Sequence, residues 1–91
     1  MLDKVKLALR IKSGAFDSEI EDLIAAALAD LGLAGVETGA AAEDPLLLRA
    51  VITYCRANFG QPDDYDRMKA AYDEQKAQLQ VATGYTDWGD D

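Results

Sequence analysis

Residues 44–60 read DPLLLRAVITYCRANFG and form the most hydrophobic segment of the chain. Asp44 is a good N-cap because its carboxylate can accept a hydrogen bond from a free N–H of the first turn, and Pro45 suits the first helical position. From there to Gly60, which ends the segment, apolar side chains cover well over half of a helix circumference. A helix that is apolar on nearly all sides is buried on nearly all sides, so this segment is predicted to be the centre of the core.

Another helix is predicted upstream of this segment, before an intervening loop. It ends at Gly32 in the manner of a C-terminal glycine cap. Asp17 or Ser18 is the predicted N-cap. If Ser18 is the cap, Glu21 stands at the third helical position and completes a capping box. Apolar residues then recur at three- and four-residue spacing on one face, which is typical of an amphipathic helix: Ile20, Leu23, Ile24, Ala27, Leu28 and Leu31.

Two further helices flank this pair. The first runs from Leu2 to Arg10 or Ile11, with apolar residues at helical spacing. The fourth begins around Pro62 and runs to about Gln80, and its large apolar residues fall seven apart, which makes a narrow seam: Tyr65, Tyr72 and Leu79. Residues 33–43, between the second and third helices, are long for a helix–helix connection, so we expect an exposed loop that is a candidate docking element.

The predicted fold is therefore all-α: a small four-helix domain over residues 1–80, with a long loop between helices 2 and 3 and an extended C-terminal tail over residues 81–91. A chain of 91 residues makes one domain at most. Its core is modest, and such a domain often gains stability from partners or from self-association.

The charge is acidic and uneven. The formal net charge is −8; residues 13–48 hold eight acids and no base, whereas residues 1–12 hold four bases and one acid. Such a domain is a poor nucleic-acid binder, because phosphate contacts need lysine and arginine. No apolar run approaches the roughly 20 residues that a membrane span requires. The first residues, MLDKVK, lack the apolar run of a signal peptide, so synthesis in the cytoplasm is expected.

Residue types that carry catalysis are scarce. The chain has no histidine, so Ser–His pairs, Cys–His pairs and histidine-bound zinc are excluded. Cys55 lies in an apolar segment and is predicted to be a buried, inert side chain. The Asp17-Ser18 pair at a helix start resembles the phosphopantetheine site of acyl carrier proteins, but Glu19 stands where that family has leucine. We expect no enzyme activity and no catalytic, cofactor-binding or metal-binding residues.

Large side chains outside the expected core indicate protein contacts. Tyr85 and Trp88 lie in a polar, glycine-containing tail, and such aromatic residues are enriched at protein interfaces. Trp88 can equally fold back onto its own domain, and both alternatives stay open. The candidate inter-subunit or partner contacts are Tyr65, Tyr72, Leu79, Tyr85 and Trp88.

Several stretches resemble the short head–tail connector proteins of phages and prophages. They are spread over nearly the whole chain and are patterns of packing and capping rather than a chemical signature. The matching stretches are MLDKVK (1–6), DSEI (17–20), LIAAA (23–27), DPL (44–46), AVITYC (50–55), NFGQPDDY (58–65), YDEQK (72–76) and YTDWG (85–89).

The resemblance implies a helical, non-enzymatic structural protein. Proteins of this family assemble as rings of about a dozen copies beneath the portal. They join the portal protein to tail-completion or stopper proteins, and some are described as DNA packaging proteins. By this resemblance DNA passes through the lumen without specific binding, no membrane is involved, and the protein is a virion component of the head–tail junction made in the bacterial cytoplasm. The alternative is a generic small helical interaction module, such as a regulator or an antitoxin-like protein.

Overall fold

The computed structural model describes residues 1–39, 41–60 and 63–81. This part of the chain contains four helices and no strand, in the order α1 (Leu2–Leu9), α2 (Asp17–Leu33), α3 (Pro45–Asn58) and α4 (Tyr65–Val81). The predicted all-α, four-helix fold is confirmed. Of the predicted tail, Val81 is helical and ends α4, while residues 82–91 lie outside the described residues.

The third helix, α3, lies at the centre of the core, as its composition predicts. It packs against α1, α2 and α4, and Leu47, Val51 and Cys55 on it are almost fully buried. The predicted cap is also confirmed: the Asp44 carboxylate accepts hydrogen bonds from the N–H groups of Leu46 at 2.9 Å and of Leu47 at 3.4 Å. Burial raises the pKa of the Cys55 thiol to about 11, so this thiol stays protonated and unreactive at neutral pH.

The predicted capping box at the start of α2 is wrong. Phe16 is the N-cap, and no side chain makes a capping hydrogen bond. Two tertiary contacts explain this start. The Phe16 ring packs edge-to-face on Phe59, with 5.5 Å between ring centroids, and the Asp17 carboxylate pairs with Lys6 Nζ of α1 at 2.7 Å. Ser18 is exposed inside the first helical turn.

Gly32 does not end α2, which continues to Leu33. The chain reverses at Gly35, whose φ of 89° is a conformation that glycine adopts without steric cost. The N–H of Val36 donates to the carbonyl of Leu31 at 3.0 Å, and the N–H of Gly35 donates to the carbonyl of Gly32 at 3.0 Å. This is the Schellman arrangement. Because Leu31 and Val36 are both buried, the turn also contributes to the core.

The loop between α2 and α3 covers residues 34–44, and it is anchored more firmly than its composition predicts. Val36 and Ala41 are buried in the core. Glu37 and Gly39, between these two anchors, are exposed, and the Glu37 carboxylate accepts a hydrogen bond from the N–H of Gly39 at 2.8 Å. The expectation of an exposed excursion is therefore wrong at the two anchor residues and correct at Glu37 and Gly39.

The first helix, α1, ends close to its predicted position. Arg10 adopts a left-handed conformation with φ 61°, which is uncommon for residues other than glycine. The N–H of Ile11 donates to the carbonyl of Lys6 at 3.0 Å, so this end also has the Schellman arrangement. The turn at Arg10 sends the chain towards α2.

Candidate interaction surface

The structure places the three predicted contact residues of α4 in different environments. Tyr72 and Leu79 are 5% and 3% exposed and belong to the core, whereas Tyr65 is 39% exposed. The seam of residues seven apart is thus the edge by which α4 packs on the rest of the domain. Contact of these residues with other subunits stays a prediction. So does that of Tyr85 and Trp88, which lie outside the described residues.

A polar cluster joins α4 to α2. The Tyr72 hydroxyl donates to Asp30 Oδ2 at 2.6 Å, and Lys76 Nζ donates to the same oxygen at 3.0 Å. The hydrogen bond from Tyr72, followed by the contacts of Lys76, lowers the pKa of the Asp30 carboxyl against the opposing effect of burial. Burial, together with the Asp30 carboxylate, raises the pKa of the Tyr72 hydroxyl. Near neutral pH the cluster is therefore a carboxylate held by a neutral phenol and an ammonium group.

Aromatic contacts extend this cluster to α3. The rings of Tyr54 and Tyr72 pack edge-to-face with 5.2 Å between centroids, and Lys76 Nζ lies 5.3 Å from the Tyr72 ring centroid. A cavity of about 220 Å³ opens beside these residues. All of the charged side chains that line it are in ion pairs. Its polar groups satisfy one another, so this cluster stabilises the fold.

The remaining bases of α4 are also paired within the chain. Lys69 Nζ lies 3.0 Å from Asp73 Oδ2, and the Arg67 guanidinium pairs with Asp64. The hydrogen bond from Arg67 lowers the pKa of the Asp64 carboxyl. Exposed pairs of this kind contribute little to stability individually. They do mean that α4 presents no base without an acidic partner.

Two depressions follow one another between α3 and α4 on a side that no described residue of α1 or α2 lines, and together they are here named the outer groove. One end is apolar, where Leu46, 55% exposed, lies beside Leu79. The other end is basic, with Arg56 and Arg67. On α3 the lining residues recur at three- and four-residue spacing, so they share one helix face. The groove is defined by Leu46, Arg49, Thr53 and Arg56 of α3 and by Met68 and Gln75 of α4.

The outer groove is positively charged. Three of the four arginines of the chain line it, against one acid, Asp64, among the described residues. Arg67 is paired with Asp64, whereas Arg49 and Arg56 form no ion pair with any residue that the structure describes. The groove therefore combines apolar side chains at one end, where Arg49 also lies, with Arg56 and the paired Arg67 at the other end.

The outward side of α2 has the opposite character. Its exposed acids Glu19, Glu21 and Asp22 form no ion pair in the described part of the chain. Small residues follow, and the helix ends on Leu33, which is 88% exposed. Solvated helix faces normally carry charged and polar side chains, so this surface is unusual for one that meets only water. The outer face of α2 is defined by Asp22, Ala25, Ala26, Ala29, Gly32 and Leu33.

Sequence analysis alone did not identify these two surfaces. A signal exists for each of them. The absence of any base over residues 13–48 leaves the acids of α2 without neighbours in sequence to pair with, and Leu33 falls off the buried stripe of that helix. The arginines of α3 occupy one face of this helix, whose composition predicts burial on nearly all sides. That prediction is wrong on this face, because Arg49 and Arg56 are exposed.

Other kinds of site find no support in residues 1–39, 41–60 and 63–81. No group of acidic or cysteine side chains there is arranged to hold a metal ion. None of the helices in these ranges combines the length and the hydrophobicity that crossing a membrane demands. The single cysteine, Cys55, is buried and unreactive.

Comparison with known proteins yields a family match over most of the chain. Residues 1–86 match the model of the family described as phage connector protein. This match confirms the resemblance that the sequence stretches indicate. None of the curated proteins and none of the solved structures with which the chain was compared matches it.

Proposed function

Because this chain belongs to the phage connector protein family, we propose that it is the subunit of a ring that docks beneath the portal and links the capsid to the tail. Family membership itself assigns a structural role in the phage particle. The proposal adds a ring of about a dozen copies, closed by rotation. It also names two neighbours, the portal protein on one side and a tail-completion or stopper protein on the other.

The observation that carries this proposal is that one small domain leaves two unlike surfaces unpaired, the outer groove and the outer face of α2. A two-fold dimer needs one patch that is complementary to itself. A ring needs two different patches, because each subunit meets its two neighbours through different surfaces. Two unlike surfaces therefore favour a head-to-tail contact, which makes a ring when its rotation closes.

The net charge of −8 supports the passage of DNA without specific binding. Affinity for duplex DNA depends on lysine and arginine contacts with phosphates, and most bases of the described helices are paired or lie in the outer groove. We propose that the inner wall of the ring is net acidic, so that DNA slides through it. An inner wall of net positive potential in the assembled ring would contradict this.

The predicted contact residues divide into two groups under this proposal. Tyr65 is partly exposed at the start of α4, and with Tyr85 and Trp88 it is a proposed contact with the portal or the stopper protein. Tyr72 and Leu79 are buried, so they would act at an interface by holding α4 in position.

The test is the size of the purified protein in sedimentation velocity, alone and mixed with its cognate portal protein. We expect a defined complex with the portal, and rings in negative-stain electron micrographs of that complex. An unrelated portal protein is the control and should not bind. A chain that stays small and does not bind its cognate portal would contradict the proposal, and that behaviour is expected of a regulator or an antitoxin-like module.

A further inference from the structure

We propose that the outer face of α2 of one subunit docks in the outer groove of the next subunit, antiparallel to α3. The occupant of the groove is thus a second copy of this chain. The inference rests on the proposed ring and names the two surfaces that would form its subunit contact. Because each subunit offers α2 to one neighbour and the groove to the other, the contact repeats head-to-tail and can close into a ring.

Charge complementarity is the first argument for this pairing. Among the described residues, Asp22 on α2 is an acid without an ion pair, and Arg56 in the groove is a base without one. Complementary potentials on two surfaces speed their association and select against wrong partners. Here both potentials belong to the same chain, so a second copy offers a surface of complementary charge.

The order of residues along the two surfaces sets the direction. The outer face of α2 begins with the acidic Asp22 and ends with the apolar Leu33. The groove runs from the apolar Leu46 to the basic Arg56. If α2 runs antiparallel to α3, Leu33 lies beside Leu46 and Asp22 lies beside Arg56. The parallel direction would instead place Asp22 beside Leu46.

The lengths of the two surfaces agree. From Asp22 to Leu33 a helix rises about 16 Å, and from Leu46 to Arg56 it rises about 15 Å. With Asp22 opposite Arg56, Leu33 therefore lies opposite Leu46. In this register Ala25 lies opposite Thr53.

Side-chain size allows α2 to enter the groove closely. The distance between packed helix axes depends on the side chains at the contact, and the middle of the outer face of α2 consists of alanines and Gly32. No other atom lies within 4 Å of the position that a Cβ at Gly32 would occupy. Docking would also remove Leu33 and Leu46, 88% and 55% exposed in the single chain, from water.

A pair of cysteines tests the register directly. The variant Ala25→Cys/Thr53→Cys places one thiol on each surface without removing a charge, and it is oxidised after assembly on the portal protein. We expect a ladder of dimers, trimers and larger species on non-reducing gels, because each subunit is linked to two neighbours. A mixture of the two single variants should give dimers and nothing larger. Native Cys55 is buried and adds no cross-link of its own.

The control variant Ala25→Cys/Ala77→Cys has its second thiol on an exposed position of α4 outside the groove, and it should give no ladder. Dimers formed by the single variant Ala25→Cys alone would indicate a symmetric contact and overturn the inference. An assembled complex without a ladder in the Ala25→Cys/Thr53→Cys variant would overturn it too, while the proposed function would stand. A wild-type chain that does not assemble on the portal would overturn both.

Charge reversal tests the ion pair. We expect Asp22→Arg and Arg56→Asp each to weaken assembly by about tenfold or more, because each places like charges opposite one another. The double variant Asp22→Arg/Arg56→Asp should recover assembly to within about threefold of wild type, since the pair is restored with its signs exchanged. Asp66→Arg, on the exposed side of α4, is the control and should leave assembly unchanged.

Both side chains are exposed, so Asp22→Arg should leave circular dichroism and urea unfolding of the single chain close to wild type. Arg56→Asp also places an acid in the last turn of α3 and near Asp64, and we expect it to lower the folding equilibrium constant by no more than about fivefold, which is about 1 kcal/mol in the free energy of unfolding. Single reversals without an effect on assembly would overturn the inference. A double variant that assembles no better than the singles would overturn the pairing of Asp22 with Arg56 and, with it, the antiparallel register.

Discussion

Helices α2 and α4 are both helices of 17 residues with one side in the core, yet they treat their outward sides differently. Every base of α4 is paired with an acid of the same chain, through Arg67, Lys69 and Lys76. On α2, Asp17 and Asp30 are paired, whereas the exposed acids between them have no partner within the described residues. The exposed acids Asp66 and Glu74 of α4 are also without an ion pair there, so α2 differs in carrying no base and in having an outward side rich in alanine. These two features mark the outward side of α2 as the one that we propose for another molecule.

The comparison also shows why hydrophobic pattern alone is a poor guide to an interface. The apolar seam of α4 is narrow, but Tyr72 and Leu79 are used fully inside the domain. The buried stripe of α2 is broad, and the opposite side of this helix still exposes alanines and Leu33. A surface for partners is identified by what remains exposed and unpaired after folding.

Truncating one leucine on each helix should separate the two roles most clearly. Leu79→Ala on α4 removes a buried side chain and leaves a cavity, so we expect the free energy of unfolding to fall by about 3 kcal/mol. Leu33→Ala on α2 removes an exposed side chain and should change it by less than about 0.5 kcal/mol. Urea denaturation of the single chain measures both. Equal losses would break the distinction between the helices.

Removing one hydroxyl should loosen α4 from α2. Tyr72→Phe deletes the hydrogen bond to Asp30, and we expect a loss of about 1–2 kcal/mol in the free energy of unfolding. Tyr65→Phe is the matched control, because the Tyr65 hydroxyl makes no hydrogen bond with a described residue. If the two variants unfold at the same urea concentration, the Tyr72–Asp30 contact does not hold α4 in place.

The same contact should make the free energy of unfolding depend on pH in the acidic range. The pKa of Asp30 is lower in the folded chain than its ordinary value of 3.8, so its carboxylate adds stability above that value, and this stability is lost as pH falls through the folded pKa. The hydrogen bond from Tyr72 is the largest cause. We therefore expect the free energy of unfolding to fall more steeply below about pH 4 in wild type than in Tyr72→Phe. Parallel curves in urea titrations across this range would contradict the assignment.

An alanine substitution at the start of α2 should lower the free energy of unfolding less than one at the start of α3. Asp44→Ala removes a side-chain cap and should cost about 1 kcal/mol. Ser18→Ala removes no capping hydrogen bond and should cost no more than a few tenths of that. Thermal and urea unfolding of the two variants measure the difference. A loss on Ser18→Ala as large as that on Asp44→Ala would support a capping box after all.

The sequence predicts the fold well where the signals are local. Asp44, Pro45 and Gly60 stand at the two ends of α3, and each acts through its own backbone or its own turn, so both ends are predicted correctly. At the end of α2, either Gly32 or Gly35 could adopt the left-handed conformation that ends the helix. The choice depends on whether Val36 can be buried against Leu31, which only the packed domain decides.

The same reasoning applies to the start of α2. Asp17 and Ser18 both suit a cap, but Asp17 pairs with Lys6 of another helix. No pattern within α2 can reveal that contact, because it depends on how α1 lies against it. A local rule therefore predicts a helix here correctly and misplaces its cap.

The candidate surfaces are less predictable than the helices. The sequence pattern treats the alanines of α2 as apolar, although each exposes little surface. The arginines of α3 indicate that part of this helix is exposed, but the sequence does not show which surface they line. Whether Arg49 and Asp22 have partners is a property of the folded chain. The family resemblance predicts that the protein assembles with others, and the structure shows two exposed surfaces that we propose for this role.

The order of packing in this domain has a consequence for its production. Each helix packs on the next along the chain: α1 on α2, α2 on α3 and α3 on α4. Such contacts close short stretches of chain, and helical domains rich in them fold in about microseconds to milliseconds. A ribosome adds only about 5–20 residues per second, so each copy is folded almost as soon as it is released. Folding is therefore not the slow step for the ring that we propose, and assembly of that ring should become faster as the concentration of folded copies rises.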